Sequence, residues 1–224
     1  MQLVLIRSCG TAWHDGAPTT DDCRIQGAVP LPLSDEGKAI LRQIADELGQ
    51  LGAETIVSSG NESSGATADY LAQLCELKTR KFPELRELDC GIWQGLRISE
   101  IKDRFSRAYK QWLQDPTSLR PPQGESLDEL AQRVDHALLQ IIRKFRGKTV
   151  ALVAAHIVAG VVECRLTARP LNDLWHVASS PENFRVLTTS DADDQPVEGS
   201  GRLLHQATFA QNPATEQHDP QPDA

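Results

Sequence analysis

Leu3-Val4-Leu5-Ile6-Arg7-Ser8-Cys9-Gly10-Thr11-Ala12-Trp13-His14 decides how this chain of 224 residues is read. Leu3 to Ile6 is a short, wholly aliphatic run, which suits a strand buried on both faces of a parallel sheet. It stops at Arg7, and the small or polar Ser8, Cys9, Gly10 and Thr11 follow. In open α/β sheets the ligand crevice lies beyond the carboxyl ends of the strands. An arginine there, beside small residues whose N–H groups can face a ligand, makes an oxyanion seat. Taken alone, the stretch reads better as a core strand closed by a surface arginine.

Outward from it, strands and helices alternate. Residues 15–33 form a long connection rich in Asp, Thr, Gly and Pro, of the kind that carries function. Ser34 is a good N-cap for a helix marked by Ile40, Leu41, Ile44, Leu48 and Leu51. Glu54 to Val57 reads as a second buried strand. Residues 64–77 read as a helix with Ala68, Leu71 and Leu74 facing inward. Residues 84–96 read as irregular and placed over the crevice. One helix is expected over about 98–113, and Ser126 caps another that runs to Gly147. Thr149–Ala155 is a further apolar strand ending at His156, followed by an apolar helix over 158–166. Residues 185–189 and 202–205 read as short late strands. The pattern implies a three-layer α/β/α domain with a mainly parallel sheet over residues 1–208. Residues 209–224 are poor in apolar side chains and read as a disordered tail. No internal repeat is present.

Composition narrows the function classes. A formal charge of −8 opposes non-specific binding to nucleic acid or an anionic membrane surface. No segment approaches the ~20 apolar residues that span a bilayer. The N-terminus opens directly on a strand, without the basic and apolar regions of a signal peptide, which reads as a cytoplasmic placement. Five cysteines (9, 23, 75, 90 and 164) are scattered and odd in number, which reads as reduced thiols rather than a disulfide framework. Nothing in the spacing calls for a metal or an organic cofactor.

Six blocks together carry a resemblance. They are Arg7-Ser8-Cys9-Gly10-Thr11; Arg24-Ile25-Gln26-Gly27 with Pro32-Leu33-Ser34-Asp35-Glu36-Gly37; Ser58-Ser59 with Ala66-Thr67-Ala68; Leu85 to Leu96; Pro121 to Leu127; and Val150 to His156. In this order they resemble the histidine phosphatase superfamily, which includes the cofactor-dependent phosphoglycerate mutases. The resemblance implies that fold and a phosphate-ester pocket. In the family a histidine attacks the phosphorus, two arginines and a second histidine bind the phosphoryl oxygens, and a carboxylate protonates the leaving oxygen. It assigns Arg7 and His156 to phosphate binding, with His156 also in the catalytic set, and Glu87 to proton donation. The departures are specific. Ser8 stands where the family has its nucleophilic histidine, and Ser63 aligns with its second arginine. Gly10 replaces a common glutamate, and Ile157-Val158 follow His156 where glycines are usual.

The implied protein is therefore a phosphatase-like scaffold with little or no phosphohistidine chemistry. Its expected partners are phosphate, a phosphorylated small molecule or another protein. Two alternatives stay open. One is a working phosphomonoesterase using Ser8 or Cys9 as nucleophile, and the other is an interaction module with an unliganded crevice.

Overall fold

A computed structural model describes residues 1–8, 23–27, 29, 31–60, 62–179 and 182–189. Its centre is a five-stranded sheet of β1 (Gln2–Arg7), β2 (Thr55–Ser58), β3 (Thr79–Lys81), β4 (Thr149–Ala154) and β5 (Phe184–Thr188), in the order β3-β2-β4-β1-β5. β1, β4, β2 and β3 run parallel, and β5 alone is antiparallel, along β1. The mainly parallel three-layer reading holds. The three-residue β3, with Arg80 and Lys81 exposed, has no apolar run to announce it. The strand expected at 202–205 and the tail at 209–224 lie outside the described residues.

Helices α1 (Asp35–Gln50) and α2 (Glu62–Cys75) cover one face; α5 (Leu127–Lys144), α6 (His156–Leu166) and α7 (Leu174–Ala178) cover the other. Strand alternation explains the division. Val4, Ile6, Ile56, Ala151 and Val153 pack with Leu41, Ile44, Leu48 and Leu71 of the first layer. Leu3, Leu5, Val57, Val150 and Leu152 pack with Leu130, Val134, Leu138, Ile141, Val158 and Val162 of the second. Both expected caps form: Ser34 Oγ accepts the Gly37 N–H, and Ser126 makes a reciprocal capping box with Glu129.

Three readings need correction. Leu74 is 41 % exposed rather than inward-facing; Ala68, Leu71, Ala72 and Cys75 line the packed face of α2. The helix expected over 98–113 is two, α3 (Ile98–Arg104) and α4 (Ser106–Gln114), broken at Phe105, whose φ of −132° leaves helical geometry. His156 does not end a strand; it is the first residue of α6, which starts two residues before the expected apolar stretch. Among the described residues no helix is long and apolar enough to cross a membrane.

Candidate active site

β1 is the strand on which the site is built, and its two-residue period separates Arg7 from Ser8. Hydrogen bonding to β4 continues to the end: Arg7 pairs with Ala154, and the Ser8 N–H donates to the Ala154 carbonyl at 2.8 Å. Leu3, Leu5 and Arg7 therefore face the α5–α6–α7 layer, while Val4, Ile6 and Ser8 face α1 and α2.

On the α2 side, Ser63 Oγ donates to Ser8 Oγ at 3.1 Å. Ser8 and Ser63 thus meet as a pair of hydroxyls. Around them the β2–α2 turn is rich in buried hydroxyls. Ser58 Oγ accepts the Gly60 N–H at 3.1 Å, Ser59 and Ser64 share a 2.7 Å hydrogen bond, and Thr67 is fully buried. Gly60 takes φ +79°, and a Cβ there would lie 2.5 Å from the Lys81 stem, so this turn requires glycine.

On the other side, the Arg7 guanidinium reaches the Val177 carbonyl at 2.7 Å, Glu163 Oε2 at 3.3 Å and the Glu182 carbonyl at 3.4 Å. Glu163 projects from an otherwise largely apolar α6 and is 2 % exposed. Its second oxygen pairs with Arg185 of β5, which also bonds Glu182 at 2.7 Å. Burial lowers the Arg7 pKa against the pull of Glu163, and it raises the Glu163 pKa against the pull of Arg185 and Arg7.

Glu87 is 5 % exposed and sits at the α6 N-terminus. Its Oε2 accepts the Ile157 N–H at 2.9 Å, and its Oε1 accepts the Val158 N–H at 3.3 Å and its neighbour Leu88's at 2.7 Å. N–H groups of a helix start are an anion seat; here a carboxylate of the same chain takes two of them. His156, one residue earlier, is exposed. Ser8 and Ser63 thus meet on the α1–α2 side of the sheet, whereas Arg7 and Glu87 are bonded to the α6–α7 side, where His156 opens α6. Cys9 lies outside the described residues.

The loop that carries Glu87 is held by a residue the sequence reading did not single out. Arg133 of α5 donates to the carbonyls of Glu84, Arg86 and Glu87 at 2.5, 2.6 and 3.1 Å. The same guanidinium grips both oxygens of Glu125 at 2.7 Å each. Further along, Trp93 is fully buried against Phe105, Tyr109 and Trp112, with its ring centroid 5.5 Å from that of Trp112. Arg24 and Ile25 close over the same loop: Arg24 bonds the Gly95 carbonyl at 2.6 Å, and Ile25 exchanges backbone hydrogen bonds with Gly95 and Leu96. The second block of the sequence therefore serves to fasten the fourth.

A mainly parallel sheet between two helical layers defines an open-sheet α/β protein. Residues 3–198 match the family model of the histidine phosphatase superfamily (branch 1), and the chain belongs to that superfamily. It is 24 % identical over 187 residues to Phosphoserine phosphatase 1 of Hydrogenobacter thermophilus, covering 84 % of this chain and 86 % of that protein. It is 29 % identical over 170 residues to the probable phosphoglycerate mutase GpmB of Escherichia fergusonii, 76 % of each. Among solved structures, Bacillus stearothermophilus YhfR superposes with a TM-score of 0.74 at 23 % identity, over 85 % of this chain and 92 % of that one. A mycobacterial glucosyl-3-phosphoglycerate phosphatase complexed with VO3 gives 0.73 at 25 % identity, over 84 % and 91 %.

Proposed function

We propose that this chain is a histidine-phosphatase scaffold that no longer carries out phosphohistidine chemistry, with a remnant phosphate pocket whose family contacts would be Arg7 and His156. The observation that carries the reading is the 3.1 Å contact between Ser63 and Ser8. Two hydroxyls satisfy each other where the superfamily resemblance calls for an imidazole and a guanidinium. A serine hydroxyl becomes a good nucleophile only beside a base, and the partner of Ser8 is a second hydroxyl, which is none. Losing a phosphate-binding arginine costs about 1.5–3 kcal/mol of charge-assisted bonding, or roughly 10- to 100-fold in rate. Losing a covalent nucleophile costs up to ~10⁶-fold and decides the outcome.

The test is hydrolysis of an aryl phosphate by the purified full-length chain, with trapping of any phosphoenzyme. No turnover above the buffer rate is expected. Restoring the pair with Ser8→His and Ser63→Arg is expected to bring measurable phosphorylation of the new imidazole. Ordinary enzymatic turnover by the wild-type chain, abolished by Ser8→Ala, would overturn the proposal and establish the phosphomonoesterase alternative.

A further inference from the structure

We propose that Glu163 is an internal counter-ion that occupies the Arg7 guanidinium, so that inorganic phosphate gains a seat there only when that carboxylate is neutralised. This deepens the reading of the crevice as an inactive phosphatase pocket and rests on it.

A carboxylate at 2 % exposure in a largely apolar helix is costly unless cations pair with it. Two do: Arg185 at one oxygen, and Arg7 at the other at 3.3 Å. The Val177 and Glu182 carbonyls also accept from Arg7, at 2.7 and 3.4 Å. With Glu182 bonded to Arg185, the four side chains join β1, β5 and α6, and Arg169 adds a further favourable charge at Glu163.

A dianion entering the crevice would have to take Arg7 from a partner already tethered in the same fold. The ligand bears the entropy of association, whereas Glu163 does not. The second cationic feature near the crevice, the N–H groups at the start of α6, is likewise bonded to a carboxylate, that of Glu87. The chain thus supplies its own anions at both places. Glu163 is the one whose removal liberates a full positive charge, because neutralising it leaves two guanidiniums with one fewer carboxylate between them.

The experiment is calorimetric titration of the full-length wild-type chain and Glu163→Gln with inorganic phosphate. The wild type should show no saturable binding up to about 10 mM, and the variant should bind at least about tenfold more tightly. Arg7→Gln in the Glu163→Gln background should erase the gain. Equal affinity in wild type and variant, or a gain that survives loss of Arg7, would overturn the inference. Where Glu163→Gln fails to fold, Glu163→Gln with Arg185→Gln removes one charge of each sign and frees Arg7 in the same way. If neither variant folds, the wild type decides: saturable phosphate binding that Arg7→Gln removes counts against the inference, and its absence supports it. Turnover of an aryl phosphate by the wild type would defeat the inactive-pocket reading itself. Phosphate bound equally without turnover would defeat only the role of Glu163.

Discussion

Replacing Arg133 by alanine removes the fastening of the Glu87 loop, and the size of the loss can be worked from its contacts. The guanidinium holds three carbonyls at 2.5, 2.6 and 3.1 Å and both Glu125 oxygens at 2.7 Å. Counted separately at about 1.5–3 kcal/mol each, these bonds would exceed the whole stability of a typical domain, so they do not add. The better measure is the cost of breaking a buried ion pair, about 3–5 kcal/mol. With side chains 12 % and 11 % exposed, the pair keeps some solvent screening, which trims this to about 2–4 kcal/mol. For a domain of this size each kcal/mol moves Tm by about 2–4 °C, so Arg133→Ala should melt roughly 4–16 °C lower. Arg133→Lys should recover little, since an ammonium cannot reproduce a planar fork that serves a carboxylate and three carbonyls together. Urea unfolding of wild type, both variants, Glu125→Gln and the double variant gives the loss and the pair coupling. A loss under about 1 kcal/mol at an unchanged m-value would refute the reasoning.

Glu87→Gln keeps the shape but turns an NH2 group toward one of the helix N–H donors. It should cost about 1–3 kcal/mol in chemical denaturation, and a variant as stable as wild type would show that the carboxylate does not hold the start of α6. Burial raises the Glu163 and Asp135 carboxyls above their ordinary values. The folded chain therefore takes up these protons before the unfolded one, and their contribution to stability grows as pH falls from neutral toward about 4.5. The stability advantage of wild type over Glu163→Gln or Asp135→Asn should accordingly be larger at pH 5 than at pH 7, and a smaller one would reverse the sign argument. Burial also pushes the Cys90 thiol up and the Cys164 thiol to about 11. Both should resist iodoacetamide at pH 8 in the folded chain and react in urea, read by mass spectrometry; rapid native labelling would contradict their burial.

Four of the five strands, both caps and the three-layer arrangement were legible because they rest on period and composition: aliphatic runs at 3–6 and 150–155, and Ser34 and Ser126 before amphipathic stretches. What was not legible depends on residues far apart in sequence. Arg133 and Glu125 are eight positions apart, yet the carbonyls they organise belong to residues 84–87. Glu163 was the one acidic residue in an apolar helix, a signal in itself, but its partners lie on β1 and β5. The orientation of Arg7 was legible in principle. Arg7 and Ser8 are neighbours on a strand and point to opposite faces, which strand alternation alone gives.

That alternation bears on how such a chain keeps its fold while its crevice changes. An imidazole and a guanidinium crowded at the ends of β1 and α2 would have to be desolvated without an internal anion, and a ligand would complete them. Two serines at hydrogen-bonding distance need no such completion. None of the larger stabilising features depends on them: the two apolar clusters, the Arg133 clasp and the Glu87 contact with α6 lie elsewhere. Position 8 can thus change at little cost to folding, in keeping with the general opposition between stability and strained, charged active sites. The same logic separates Glu163 from Ser8. Ser8 is partly exposed and can be exchanged freely, whereas Glu163, buried between two arginines, cannot be removed without leaving charge unpaired. The two residues are thus of different kinds, one replaceable and one built into the core, and only the second is bonded to Arg7.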